Sequence, residues 1–398
     1  MLVIAALGCW AVFRLAADFL CPDRRAAYMT VALLCLSPLY FSQSAMALLD
    51  MPAMVLTSVA LLLFLRERLV GAAAACMALV MVKETGALLP AVLGIVLVRE
   101  HRPKESAWFL LPAAPLAIWL LLLHEQSGNW FGNAVFAQYN LKYPLNPVRL
   151  GLAVFRRGYY LFVSTGYLIG TIAVLKGRTW NLRSRAWKVA SIFALVHFVS
   201  MCVIGGAVLE RYLLPVLPIV LAAFANALCA LRPMWRKCAF AGMCACSAIC
   251  IVVNPIYPFP LENNLAWSDF VAVQHDAAEY ISAHVRAGGR VASSFPFAGC
   301  MRRPEFGYTA VRFQIEDVPD FTPDSLQQLR GRKIDALAVF TSTWDPMKLE
   351  RNAHWVAFLK KFYSYERDVS GDEVTAMLGL HRVARFERHG QWIEVYQP

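Results

Sequence analysis

The sequence predicts an α-helical polytopic membrane protein of about ten transmembrane helices over residues 1–254, followed by a soluble α/β domain over residues 255–398. Three observations carry that prediction. The chain has 398 residues and is 59% hydrophobic, too apolar for a soluble protein and too long for one membrane hairpin. The apolar runs stop near Asn254, and the remainder is polar enough for a water-soluble fold. Charge divides at the same place: 22 Lys/Arg face 9 Asp/Glu up to Asn254, and 16 face 18 after it. The basic excess thus belongs to the membrane half, where loop cations orient helices. No basic stretch stands clear of the membrane, which argues against nucleic-acid binding.

The apolar runs are 1–20, 26–41, 51–65, 71–82, 85–98, 108–124, 158–175, 187–205, 212–231 and 238–254. Several are shorter than the roughly 20 residues that cross a bilayer core, so they tilt, extend into the interface or pair as kinked segments. The first run carries Arg14 and Asp18, which share a helix face and can pair. It is not a signal peptide: no basic region precedes it and no small-residue cleavage site follows. Of the eleven cysteines, Cys300 alone lies in the tail, and the others sit in or beside apolar runs as small hydrophobes. Cys244 and Cys246 read as packing residues, and His124 and His197 as core or interface residues in preference to metal ligands.

Lys and Arg in the short loops set the orientation. One alternate set of loops holds fifteen: Arg24, Arg25, Arg66, Arg68, Arg99, Arg102, Lys104, Lys176, Arg178, Arg183, Arg185, Lys188, Arg232, Arg236 and Lys237. The opposite set holds six: Lys83, Lys142, Arg149, Arg156, Arg157 and Arg211. The richer side is expected to be cytoplasmic. Asp50, Lys83, Glu84, the long loop 125–157, Glu210, Arg211 and the whole tail then share the external side. Unless 66–69 extends the first arm, the arms of the 71–98 hairpin are too short to reach the far surface, and Lys83 and Glu84 are expected to hang in a recess open to that side. Met1 is also external on this topology, which implies that a preceding helix and loop are absent from this sequence.

In the tail, 270–286 and 355–363 have helical periodicity. Residues 290–297, 334–341, 382–387 and 392–396 look like strands, and His389-Gly390 marks a hairpin. It has no Gly-rich phosphate loop, G-x-S-x-G or HExxH.

The chain resembles a known family at this level. Ser37-Pro38-Leu39-Tyr40-Phe41, Leu48-Leu49-Asp50-Met51-Pro52, Met81-Val82-Lys83-Glu84-Thr85 and Glu210-Arg211-Tyr212-Leu213-Leu214-Pro215-Val216-Leu217-Pro218 occur in the order and spacing of the protein O-mannosyltransferase / aminoarabinose transferase superfamily. These are polytopic glycosyltransferases of the C-type fold. The tail, with 290–296 and Pro304-Glu305-Phe306-Gly307-Tyr308, resembles the soluble domain of bacterial members. The resemblance implies a sugar donor linked to polyprenyl phosphate, a lipid, glycan or protein acceptor met at the external face, and inversion at the anomeric carbon. It also implies an acidic general base in the first external loop. Residues 1–20 resemble the family's second helix, so no residue here matches that base.

Candidate residues follow. Asp50, at a helix start, is the catalytic candidate or an N-cap. Lys83 and Arg211 are the cations for the donor phosphate; each has a structural alternative, an internal ion pair for Lys83 and an interface anchor for Arg211. Glu84 is the candidate to orient the acceptor or to bind a divalent metal, the one cofactor considered. A Lys83–Glu84 pair is disfavoured because adjacent helical positions diverge. Glu210 and Tyr212 are weaker candidates, Tyr212 reading mainly as interfacial belt. The alternatives are a donor-binding or assembly protein without transfer, and a lipid-linked sugar flippase or transporter. The last would use a midplane site and internal repeats, which the sequence lacks.

Overall fold

The computed structural model describes residues 1–130, 140, 145–177, 184–206, 208–341 and 344–398. Lys142, Arg178 and Arg183, used above for orientation, lie outside the described residues. The chain forms two units. The first is Met1–Asn254 together with Glu262–Asn264, and the second is Pro255–Leu261 with Leu265–Pro398. The break falls at the residue where composition changes.

The helices of the first unit are α1 (Leu2–Leu15, continuing as a π-turn Ala16–Leu20), α2 (Arg24–Leu36), α3 (Pro38–Ala45), α4 (Asp50–Leu65), α5 (Leu69–Val82), α6 (Leu88–Arg99), α7 (Pro103–Ser106), α8 (Ala113–Ser127), α9 (Pro147–Phe162), α10 (Tyr167–Gly177), α11 (Arg185–Ile204), α12 (Leu217–Cys229) and α13 (Pro233–Val252). Their ends follow from local chemistry. Asp23 accepts from the backbone N–H groups of Arg25 and Ala26 and starts α2. Pro38 forces Ser37 into an extended conformation, and α2 and α3 meet at a 62° bend there. Asn146 caps α9 with Pro147 at its first position.

Among the described residues four helices are long and apolar enough to cross a bilayer: Leu2–Leu20, Pro103–Ser127, Arg185–Ile204 and Pro233–Val252. Two bent pairs, α2 with α3 and α9 with α10, raise that to six, and α4, α5 and α12 are apolar but shorter. The chain is thus a multi-pass membrane protein. Each expected apolar run is helical, but only the shorter helices could bring the full spans toward ten. One correction concerns the loop 125–157. The helix after it starts at Pro147, so Arg149, Arg156 and Arg157 are helical residues. The strong amphipathicity of 147–162 produces this: its cations alternate with an apolar face at helical spacing.

The core centres on α4, whose Met51, Met54, Leu61, Leu62 and Phe64 are buried against α1 and α5. At the opposite end of α4 from Asp50, Asp18 holds both Arg14, at 3.2 Å, and Arg66. Beside them Arg102 and Arg185 each bind Glu67 at 2.7 Å; Arg102 also binds Glu105, and Arg185 binds Glu100 at 2.7 Å. Loop residues assigned to one side by charge counting thus form one ionic layer.

The second unit holds α14 (Ala266–His284), β1 (Arg290–Ser293), α15 (Phe297–Arg302), β2 (Gln314–Asp317), α16 (Pro323–Gln327), β3 (Ala336–Phe340), α17 (Ala353–Tyr363), α18 (Gly371–Leu378), β4 (His381–Arg388) and β5 (Gln391–Gln397). The strands make one mixed sheet, ordered β2-β1-β3-β5-β4. β1 runs parallel to β2 and β3, and β5 runs antiparallel to β3 and β4. β3 is buried along its whole length, as its run of Ala336-Leu337-Ala338-Val339-Phe340 requires. His389 and Gly390 take positive φ between β4 and β5 and close the expected hairpin. The α/β class holds; β2, α15, α16 and α18 are additions.

Candidate functional site

Residues far apart in sequence meet at the α4 start. Asp50 opens α4, but its carboxylate makes no cap hydrogen bond. It turns instead to two cations: Lys83 Nζ donates to Oδ1, and Arg211 Nε lies 3.3 Å from Oδ2. The Arg211 contact is an ion pair without hydrogen-bond alignment, because Nε has no aligned acceptor. Arg211 Nη1 donates to Glu262 Oε1 at 2.5 Å. Side-chain exposure is 6% for Asp50, 18% for Lys83 and for Arg211, and 30% for Glu262, so the cluster deepens from Glu262 to Asp50.

Local backbone chemistry places these groups. α5 ends when Lys83 turns extended, and a 3-10 turn, Glu84–Ala87, leads into α6. Only glycine fits at position 86, since a Cβ there would meet Leu79 Cγ at 2.6 Å. That close approach folds the hairpin tip back and aims Lys83 at Asp50. Glu84, its neighbour, is exposed and accepts from the Trp119 indole at 3.2 Å. The separate fates of Lys83 and Glu84 match the expectation that they would not pair. Arg211 and Tyr212 sit in a 3-10 turn, Glu210–Leu213, just before α12.

Tyr212 belongs with the two cations. Its ring lies under Lys83 Nζ, 4.2 Å from the centroid, and the Arg211 guanidinium is 5.7 Å away, so the ring packs against both cations. His197 Nε2 meets the Tyr212 carbonyl at 2.7 Å and fixes that turn, a structural role as expected. Lys83, Tyr212, His197 and Phe193 line a cavity of about 10 Å³, room for one water. A separate apolar groove of about 390 Å³ runs along α5 from Val70 to Met81, closed on one side by Trp108 and Leu111.

Glu210 is not part of the cation cluster. It accepts from Arg156 Nε at 2.8 Å and from Asn263 Nδ2 at 3.1 Å. Arg157, expected in an external loop, is fully buried and donates to the Gly205 carbonyl at 2.9 Å.

Sequence reasoning missed Glu262. Residues 262–264 pack with the helical unit although both flanks belong to the other. The Glu262 carbonyl accepts from Ser42 Oγ at 2.7 Å and Gln43 Nε2 at 3.3 Å, and Asn264 Nδ2 donates to Asn254 Oδ1 at 2.9 Å. Burial pushes the Glu262 carboxyl above its ordinary range, and Arg211 offsets part of that rise. The only available signal was two asparagines following a glutamate in a Pro-rich stretch.

A divalent metal needs more than Glu84. Among the described residues the one group of three ligand-bearing side chains is His275, Asp276 and Glu279, exposed or half-exposed in the second unit. Glu84 belongs to no such group among the described residues.

A polytopic helical unit with this arrangement, joined to a mixed α/β unit, has the C-type glycosyltransferase fold expected from the resemblance. Two solved structures carry that assignment. ArnT from Cupriavidus metallidurans bound to undecaprenyl phosphate is 14% identical, covers 99% of this chain and 82% of its own, and superposes with a TM-score of 0.53. ArnT in the apo state gives 14%, the same coverage and 0.52. At that identity the likeness fixes the fold alone. The arabinofuranosyltransferase AftD from Mycobacteria, at 14% identity and a TM-score of 0.45 over 34% of its length, adds nothing to it. No protein-family profile matches the chain, and no curated protein matches it.

Proposed function

We propose that the chain is a membrane glycosyltransferase that moves a sugar from a polyprenyl-phosphate-linked donor to an acceptor at the external face of the cytoplasmic membrane, with the second unit on that side. The observation that carries this reading is the convergence of Lys83 and Arg211, both mostly buried, on one carboxylate at one end of a membrane-embedded unit. Ionisable groups in apolar surroundings are costly, so their persistence points to a ligand. A phosphate between the two cations would gain charge-assisted bonds, bidentate at Arg211.

In this reading the acceptor hydroxyl oxygen attacks the anomeric carbon, the bond from that carbon to the phosphate oxygen breaks, the prenyl phosphate leaves with the electron pair, and the hydroxyl proton is released to water. Cation charge on the leaving phosphate is the main help the site supplies. Asp50 acts as a positioning residue, since both its oxygens are committed to cations. Glu84, exposed beside Trp119, is placed to orient an acceptor that is a lipid, glycan or protein. The groove along α5 suits a prenyl chain by shape and apolarity; it ends at Met81, two residues before Lys83. The fold shared with ArnT, solved with undecaprenyl phosphate, agrees with such a lipid partner.

A second reading, donor binding without transfer, is favoured by the same commitment of Asp50, which leaves it a poor base. Binding of undecaprenyl phosphate to the purified full chain tests the shared part. The wild type is expected to bind and Lys83→Met to lose at least tenfold in affinity, or about 1.4 kcal/mol. Equal binding by both removes the phosphate role of Lys83. Release of prenyl phosphate only when acceptor is added then separates transfer from binding.

A further inference from the structure

The charges around Arg211 add up to a selectivity rule. Among the described residues, Lys83 and Arg211 contribute two positive charges, and Asp50 and Glu262 two negative ones, joined in one continuous set of ion pairs. The next charged pair, Arg156 with Glu210, is neutral in itself. A site built only to hold phosphate would keep its cations in excess. This one cancels them with a carboxylate on the same guanidinium that a phosphate would use.

That carboxylate is not a loose arm. The Glu262 backbone is pinned by Ser42 and Gln43, and the next residue, Asn263, is tied to Glu210 at 3.1 Å. Its side chain is the most exposed of the four, at 30%, so it stands at the mouth while Asp50 lies deepest. An arriving phosphate meets a fixed negative charge on its way to Arg211.

The two prenyl phosphates of the proposed reaction differ in charge. The donor is a phosphodiester with one negative charge. The product is a monoester whose second ionisation lies near pH 6, as for other phosphate monoesters, so it carries almost two. Resting on the function proposed above, we infer that Glu262 is a specificity-determining residue that favours the singly charged donor and expels the doubly charged prenyl phosphate product. It touches neither reacting atom; it acts through the charge it places on Arg211.

The test compares two probes on the full-length protein in detergent at pH 8: undecaprenyl phosphate and its methyl phosphodiester. Wild type is expected to bind the monoester no more tightly than the diester. Glu262→Gln turns the neutral cluster into a cationic one, and the monoester should then gain about tenfold over the diester, or about 1.4 kcal/mol. Glu262→Asp keeps the charge and should keep the wild-type ratio, a result that a merely structural role for the length and geometry of the Glu262 side chain would not give. An unchanged ratio in Glu262→Gln overturns the inference and leaves the proposed function standing. Failure of wild type to bind either probe sinks the proposed function itself. Should Glu262→Gln not fold, wild type alone decides: tenfold tighter binding of the monoester at pH 8 would show a site of excess positive charge and refute the rule.

Discussion

Both ends of the helical unit gather charge, and they do it differently. Among the ion pairs at the end holding Asp18, Glu67, Glu100 and Glu105, the cations are arginines, and side-chain exposures run from 25% to 47%. At the end holding Asp50 a lysine joins, an aromatic ring lies beneath it, and the central carboxylate is 6% exposed. Exposed arginine forks cost little to solvate and anchor helix ends. A buried lysine-carboxylate pair is expensive to dehydrate and is weak evidence for stability. The contrast separates a layer suited to anchoring helices from the layer proposed here as the site.

Sidedness breaks the comparison most completely, because its outcome is all or none. With an impermeant thiol reagent on intact cells, read at the introduced residue by mass spectrometry, Lys333→Cys in the second unit should label and Lys104→Cys at the arginine layer should label only after lysis. The reverse pattern would turn the site to the cytoplasm. The next effect is on stability. Lys83→Met should cost about 3 kcal/mol, the low end for a buried charge stripped of a partner, because Arg211 still holds Asp50. The double variant Asp50→Asn/Lys83→Met should recover most of that loss without recovering binding. A thermal unfolding series in detergent reads both. At the opposite layer, Arg185→Lys loses the two-point grip on Glu100 and should cost at most about 1 kcal/mol, with prenyl phosphate binding unchanged.

The smallest effect is in pH, and its sign differs between the layers. The folded protein raises Glu262 above its ordinary 4.5, so protonation favours the fold as pH falls from that raised value toward 4.5. Hydrogen bonding to Arg185 lowers Glu100, so its contribution is present above 4.5 and is lost as pH falls below it. Melting temperatures of Glu262→Gln and Glu100→Gln against wild type should each flatten one of these two limbs.

Asp50, Lys83 and Arg211 were legible because each is a charge stranded between apolar runs, and counting loop cations puts them on one side. The helical class of 1–254 and the mixed class of the tail were legible by composition and period. Glu262 was not: its partner Arg211 is 51 residues away, and nothing in the local pattern of a Pro-rich stretch signals a return to the helices. The packing of Tyr212 under Lys83 was not legible either, because an aromatic near a helix start does not reveal its neighbours in space. The start of α9 was legible in Asn146-Pro147 and was overridden by weighting the cations as loop. Four-residue β2 pairs only with β1 and is half exposed, too short to show a period.

The length of α5 has a consequence beyond the site. Its 14 residues rise about 21 Å, against a bilayer core of about 30 Å. The groove on its flank has Val70 and Met81 more than half exposed on the face that lipid would cover. An amphiphile that occupies it comes sideways from the leaflet, in two dimensions, and the end of the groove at Met81 sets the depth of its polar head. The concentration that governs occupancy is then mole fraction among lipids, not molarity in water. Adding detergent at constant ligand and protein should weaken apparent binding in proportion to the micelle mass, as dilution weakens any association in its own solvent.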